Sequence, residues 1–320
     1  MILVVSPNPA LDRVAVVRYR PRSTLRPERF FVWPGGSGVH AGAVARTLGA
    51  EVFVVGFAGG PTGATLDEQL RARGIGSAWT PIAGETRQTL SLIDIDDGNL
   101  CDVVEPGPRV DLGEARAMES TALDRLGTAS LIVISGSLPL GCPALMPARL
   151  VRAARSAGLK VIADLQGSVL ESTVAESPWM IKPSLEEVAH HLGHGPSGTE
   201  LATLCERWLA HGVVHVCVSM GERGLLWLSR EGYRLLTAPR ARPFNTIGCG
   251  DALVGATAAM LDHDADVVSA LRAGVAAATA NLAHDAPGHC EPGEVATLSR
   301  LVDIRELDRA DLTNLVRSTG

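Results

Sequence analysis

The segment "NTIGCGDALVGATAAML", residues 245–261, sets two glycines around a cysteine, follows them with a lone carboxylate, and continues as small apolar residues at helical spacing. A helix starting near Gly248 leaves its first N–H groups unpaired at the positive end of its dipole, so the turn can cradle an anion. Glycines at 248 and 250 let that anion come close to the backbone. Asp251 falls in the first turn, where the dipole favours its charged form and leaves it a weak ground-state base. Phosphoryl transfer tolerates such a base, because the acceptor hydroxyl becomes acidic late in a loose transition state and positioning dominates the rate. A phosphotransferase fits this pattern; so does a glycine turn followed by an ordinary first-turn carboxylate.

Short apolar runs separated by helical periodicity must position that turn. They are "ILVV" (2–5), "EVFVVGF" (51–57), "SLIVIS" (130–135), "LKVIAD" (159–164), "WMIKP" (179–183) and "VVHVCVS" (213–219). Runs of this kind are strands buried on both faces, which predicts an α/β fold: a doubly wound, mostly parallel sheet flanked by helices. Polar or glycine-rich loops follow them ("SGSLPLG", "DLQGS", "KPSLEE", "SMGERG"), at the sheet edge where open α/β folds hold ligands. Two stretches break the alternation with strand-like patterns and no helix between, predicting a small discontinuous sheet of antiparallel strands that can close over the ligand. The expected division is a core of residues 1–11, 35–84 and 107–320, with a β-sheet lid of 12–34 and 85–106.

Composition narrows the class. Apolar residues make up 46% and charged residues 20% of the chain, as in globular proteins. A net charge of -6, no basic block and few aromatics leave little from which to build a nucleic-acid groove. No apolar run approaches the roughly 20 residues of a membrane span. The six cysteines, Cys101, Cys142, Cys205, Cys217, Cys249 and Cys290, contain no C-x-x-C pair and read as reduced thiols of a cytoplasmic protein. Histidines 190, 191 and 194 in "HHLGH" suit a helix end better than a metal site. No P-loop and no G-x-S-x-G elbow occurs, and the glycines of "WPGGSGVHAGAVARTLGA" (33–50) do not keep dinucleotide-binding spacing.

"GGSGVHAGAVARTLGA" and "NTIGCGDALVGA", in that order, resemble the two signatures of the PfkB (ribokinase-like) carbohydrate kinases. "NPALD" (8–12), "GETRQTL" (84–90), "EPGP" (105–108), "ISGSLPLG" (134–141), "IKPSLEE" (181–187) and "VSMGERGLL" (218–226) resemble its hexose-phosphate branch of minor 6-phosphofructokinase, 1-phosphofructokinase and tagatose-6-phosphate kinase.

The resemblance implies ATP and Mg2+ as cofactors, with Asp251 as the base and the amides of Gly248, Cys249 and Gly250 as an anion hole. It implies sugar contacts from Asp12, Gly35, Gly36, Ser37, Gly38, His40 and Ser137, with Arg87 clamping the sugar's phosphate and Arg26 as a second candidate. Lys182, Ser184, Glu187, Ser219, Gly221, Gly224 and Thr246 would line the nucleotide, Glu187 reaching magnesium through water. It also implies a homodimer formed through the lid, with no nucleic-acid or membrane partner.

Several positions depart from the family's pattern. Ser37 stands where the 1-phosphofructokinase and tagatose branches usually have Lys, and with "APGHCEP" (286–292) it favours fructose 6-phosphate. Thr24 stands for Lys, His40 for Asn, Thr89 for Asn and Ser184 for the Asn of K-P-N-x-x-E, each altering a ligand contact. Fructose 1-phosphate, tagatose 6-phosphate, a non-phosphorylated sugar, and a catalytically weak sugar- or nucleotide-binding regulator therefore remain as alternatives.

Overall fold

The computed structural model describes residues 1–317 except Pro21, Asp97 and Arg242. In chain order the first half comprises β1 (Ile2–Ser6), β2 (Ala10–Val17), β3 (Arg29–Gly35), α1 (Ser37–Thr47), β4 (Val52–Ala58), α2 (Gly60–Ala72), β5 (Gly76–Pro81), β6 (Arg87–Asp94), β7 (Leu100–Val104), α3 (Leu112–Leu123), β8 (Leu131–Ser135) and α4 (Met146–Ser156). The second half comprises β9 (Lys160–Asp164), α5 (Gly167–Val174), β10 (Met180–Ile181), α6 (Leu185–Leu192), α7 (Gly198–Ala210), β11 (His215–Ser219), β12 (Leu225–Ser229), β13 (Gly232–Thr237), α8 (Cys249–Asp262), α9 (Val267–Asn281), α10 (Pro292–Ser299), β14 (Asp303–Leu307) and α11 (Asp311–Arg317).

Ten strands form one sheet in the order β14-β13-β12-β11-β10-β9-β8-β1-β4-β5. From β5 to β11 all neighbours pair in parallel, which places the carboxyl ends of these strands along one edge. The antiparallel extension β12–β13–β14 was not foreseen in the sequence and closes the far side. Alternate residues of each central strand face opposite layers. Ile2 and Val4 belong to the core layer that holds α1, α8 and α9, whereas Leu3 and Val5 belong to the opposite layer, which holds α3, α4 and α7. Burial of each such Val, Leu or Ile contributes about 1.5–3 kcal/mol, which holds the strand ends in register.

The small residues of the 245–261 segment act in this packing. A Cβ on Gly255 of α8 would stand 2.2 Å from the Ala41 carbonyl of α1, and one on Gly274 of α9 2.4 Å from Thr257 Oγ1. Helices without bulky side chains can approach this closely, and the approach sets α8 directly against α1.

The second sheet has the order β3-β2-β6-β7. Its β2–β3 and β6–β7 pairs are antiparallel, but β2 and β6 pair in parallel, correcting the all-antiparallel expectation. The reason is directional: β2 and β6 each leave the large sheet from the carboxyl edge, after the parallel strands β1 and β5. Register places Asp12 of β2 opposite Thr89 of β6 and Trp33 of β3. Among the described residues no helix is long and apolar enough to cross a membrane.

Candidate active site

The chain steps from β1 outward through β4 to β5, then continues from β8 on the other side of β1, so the strand order reverses there. Loops at such a reversal splay apart and leave a crevice at the carboxyl ends. Ser6 ends β1 and Asn8 follows it, Ser137 follows β8, Asp164 ends β9, Lys182 follows β10 and Ser219 ends β11.

At this edge α8 begins. Its N-cap, Gly248, has φ 78 and ψ 3, and an added Cβ would stand 2.2 Å from the Gly288 amide nitrogen, so no other residue fits without strain. The buried Asn281 of α9 ties the turn in place. Its Nδ2 donates to the Ile247 carbonyl at 2.9 Å and to Cys249 Sγ at 3.2 Å, while its Oδ1 accepts from the His289 amide at 3.0 Å. Asn281 and Asn245, whose Oδ1 accepts from the Ile247 amide at 2.9 Å, were absent from the sequence expectations. The first helical amide to bond back is that of Ala252, to the Gly248 carbonyl at 2.8 Å, so the amides of Gly250 and Asp251 have no intrahelical acceptor. The Cys249 amide reaches the Thr246 carbonyl only at 3.5 Å. Burial pushes the Cys249 thiol up to about 11, with Asn281 opposing it, so this cysteine stays protonated and packs rather than attacks.

Asp251 is joined to Asp12 through His40. The imidazole Nδ1 lies 2.8 Å from Asp251 Oδ2 and Nε2 lies 2.8 Å from Asp12 Oδ2. The second contact is short but lies off the ring N–H axis, so it is an ion pair more than a directed hydrogen bond. Thr89 Oγ1 donates to Asp12 Oδ1 at 2.8 Å. A Cβ on Gly35 would stand 2.2 Å from Asp12 Cγ, so that glycine leaves room for the carboxylate. Burial pulls His40 down, but its bonds and charge interactions with Asp12 and Asp251 outweigh burial and raise its pKa to about 10. Burial likewise pushes Asp12 up, whereas His40, Thr89 and Arg87 hold it below the usual carboxylate range. His40 is thus an imidazolium between two carboxylates, and Thr89, a departure from the family's Asn, supplies a donor to one of them.

Because His40's folded pKa of about 10 exceeds its ordinary 6.5, its contribution to stability is complete below 6.5 and is lost as pH rises through about 10. We expect His40→Asn to be destabilised at pH 7 and to lose that alkaline decline. Urea unfolding at pH 7 and pH 10 reads the difference; parallel losses in wild type and variant would contradict the charged bridge.

A second charged group lies beside the turn. Lys182 Nζ is 3.0 Å from Asp164 Oδ1, with both side chains buried, and Ser135 Oγ donates to Asp164 Oδ2 at 3.1 Å. A Cβ on Gly250 would stand 3.3 Å from Lys182 Nζ, so the glycine lets the ammonium reach the free amides of α8. Burial pulls Lys182 down, but Asp164, Glu187 and Asp251 leave its pKa raised. Burial pushes Asp164 up to about 6, Lys182 opposing and Asp251 and Glu187 reinforcing the rise. The two partners shift differently because one ammonium faces three carboxylates: the lysine stays charged, and the cluster carries excess negative charge. Asp164 and Ser135 were missed in the sequence; a carboxylate closing the apolar run "LKVIAD" at its carboxyl end was the available signal.

The remaining candidates spread along the same edge. Ser184 caps α6: its Oγ accepts from the Glu187 amide at 3.1 Å, and its own amide donates to Glu187 Oε2 at 2.7 Å. The Asn-to-Ser departure therefore preserves a helix cap, for which serine and asparagine are equivalent, and half of the Glu187 carboxylate is used in it. Ser184 bridges to Ser219, whose amide donates to the Pro183 carbonyl at 3.0 Å. Gly221 and Gly224 form the following turn, at φ 60 and 95. Arg87 donates from Nε and Nη2 to the Asn8 carbonyl at 3.2 and 3.0 Å and from Nη1 to the Glu105 carbonyl at 3.2 Å, so it also ties "NPALD" to "EPGP". Asn8 Nδ2 donates to Ser137 Oγ at 3.0 Å. Gly36 caps α1, Ser37 opens it, and a Cβ on Gly38 would stand 2.7 Å from that of Ser6. Arg26 is exposed between β2 and β3 with no partner among the described residues, and Thr246 is exposed before α8.

Comparison with known proteins agrees in one direction. A family model for pfkB family carbohydrate kinases matches residues 8–293. The chain is 29% identical over 270 residues to a 1-phosphofructokinase of Xanthomonas campestris pv. campestris, covering 82% of this chain and 85% of that one. It is 25% identical over 312 residues to a tagatose-6-phosphate kinase of Staphylococcus epidermidis, covering 96% of this chain and all of that one (100%). A crystal structure of phosphofructokinase-2 from Escherichia coli in complex with substrates and products superposes with a TM-score of 0.83 at 25% identity, covering 93% of this chain and 98% of that one.

Proposed function

Because the chain belongs to the pfkB family of carbohydrate kinases, we propose that it transfers the γ-phosphoryl group of ATP to a hydroxyl of a hexose phosphate, with fructose 6-phosphate as its preferred acceptor. The observation that carries this reading is the line Asp12–His40–Asp251, which joins the sugar side of the crevice to the amides and ammonium of the transfer side.

In this mechanism the acceptor hydroxyl donates to Asp251 Oδ1, because Oδ2 is engaged by His40. The hydroxyl oxygen attacks the γ-phosphorus in line. The new O–P bond forms as the bond to the departing ADP oxygen breaks, and the proton passes to Asp251 late in the step. The amides of Gly250 and Asp251, with Lys182, lie where negative charge gathers on the transferred group. The excess negative charge around Lys182 fits a divalent cation, which Glu187 would hold through water and Asp164 would help to neutralise. A divalent cation such as Mg2+, held there through Glu187, would supply charge neutralisation for the phosphate chain. The second sheet serves as a lid that keeps water, a competing acceptor, away from the phosphoryl group.

Arg87 supports a phosphorylated sugar. Its guanidinium forms no ion pair among the described residues, and two of its five N–H groups remain after the three carbonyl contacts. Ser37, in place of a lysine, favours fructose 6-phosphate, while the relatives named above support fructose 1-phosphate and tagatose 6-phosphate as alternatives. The lid exposes Phe30 (48%), Val103 (57%) and Val104 (57%), and pairing with a second copy would cover them, giving a homodimer.

A coupled ADP-release assay with fructose 6-phosphate, fructose 1-phosphate, tagatose 6-phosphate and free fructose tests the assignment. We expect kcat/KM for fructose 6-phosphate to exceed that for free fructose by at least about tenfold, the effect of one charge-assisted contact. Free fructose equal to every phosphosugar would overturn it.

A further inference from the structure

A hollow of about 490 Å3 is walled in part by His40 but by neither Asp12 nor Asp251. Its other walls are the end of β3, the last turn of α1, the turn after α2 and the loop around Gly288. That volume lies in the range of about 300–1,000 Å3 in which proteins hold small molecules.

The charge of these walls is one-sided. Arg46 and Arg73 both line the hollow, and no carboxylate does. Among the described residues neither guanidinium forms an ion pair: Arg46 Nη1 donates to the Ala50 carbonyl at 3.4 Å and Arg73 Nη1 to the Gln69 carbonyl at 2.8 Å. A Cβ on Gly74 would stand 3.1 Å from Arg46 Nη2, so the Arg46 head lies against the turn that carries Arg73. Arg73 stacks over the Trp33 ring at 4.8 Å, and burial lowers its pKa with no carboxylate opposing the shift. His289, also in the wall, is paired with Glu291 at 3.1 Å, so the two arginines are the uncompensated charges. Arg73 is half-buried and Arg46 exposed, both face one hollow with no carboxylate in its wall, and their planar forks match phosphoryl oxygens two at a time. The hollow is roomier than a bare phosphate needs, and Ile75 and Ala286 give it apolar wall.

We propose that the Arg46–Arg73–Trp33 hollow is a second binding site, separate from the transfer centre, for a small phosphorylated organic compound. The phosphoryl group sits between the guanidinia and the carbon body lies against the apolar wall. Its occupant touches the wall formed by His40, so the site is placed to alter the Asp12–His40–Asp251 line.

The test is equilibrium binding without turnover, so its outcome is separate from that of the kinase reading. The probes are 3-phosphoglycerate and, separately, inorganic phosphate, followed by the indole N–H signals of the five tryptophans, Trp33 being assigned with Trp33→Phe. We expect 3-phosphoglycerate to shift the Trp33 signal saturably, to bind at least about tenfold more weakly to R46Q/R73Q, and to bind R87Q as tightly as wild type. Should R46Q/R73Q fail to fold, R46K/R73K keeps the charge without the fork and must show the same weakening. An unmoved Trp33 signal, equal affinity in wild type and the arginine variant, or inorganic phosphate binding as tightly as 3-phosphoglycerate would overturn the proposal.

Discussion

Asp251→Asn is expected to lower kcat by on the order of a hundred- to ten-thousandfold while changing the sugar KM only modestly. The amide has the shape of the carboxylate and can still accept from His40 Nδ1 through its oxygen, so the start of α8 and the Asn281 brace should persist. What disappears is the acceptor for the hydroxyl proton, a function used only as the O–P bond forms. The ground-state contacts proposed for Asp12 and Arg87 would be untouched, which is why the loss should fall on kcat. Steady-state kinetics with urea unfolding as a fold check reads this split. Turnover equal to wild type would remove Asp251 from the chemistry.

Lys182→Met should damage stability and catalysis together, by different routes. Removing one partner of a buried ion pair costs about 3–5 kcal/mol when the other remains charged. Asp164 already titrates near 6, and loss of the ammonium that opposes its rise pushes it higher, so below about pH 6 it escapes the penalty by protonation. The variant's deficit in unfolding free energy should therefore be smaller at pH 5.5 than at pH 8. Activity should fall by on the order of a hundredfold or more at both values, because the cation proposed to sit beside the phosphoryl group would be gone. K182M/D164N should recover stability, having no uncompensated charge, and recover no turnover. Recovery of turnover in that double variant would mean that Lys182 only balances Asp164.

Much of this arrangement was legible in the residues. Apolar runs such as "ILVV" and "SLIVIS" became parallel strands because burial on both faces leaves no polar alternation, and "IGCGD" became a helix start because only glycine fits at Gly248. Partnerships across long separations were not legible. His40 and Asp251 meet only because Gly255 lets α8 close on α1, a consequence of helix packing that spacing within one segment cannot express. Asp164 escaped notice for a related reason: its place beside Lys182 follows from parallel pairing of β9 with β10, two short strands separated by a helix. The parallel pairing of β2 with β6 depended on which sheet edge each strand leaves, and that is set by topology. Ser184, read in the sequence as an altered nucleotide contact, caps α6 with Glu187.

In the proposed reaction phosphate passes from ATP to a sugar-phosphate hydroxyl held at Asp251. The most direct measurement is phosphorus NMR of the products formed from ATP, magnesium and fructose 6-phosphate. We predict ADP and a hexose bisphosphate in equal amounts, with almost no inorganic phosphate. ADP accompanied by inorganic phosphate and unchanged fructose 6-phosphate, or no consumption of ATP with any of the sugar phosphates named above, would contradict it.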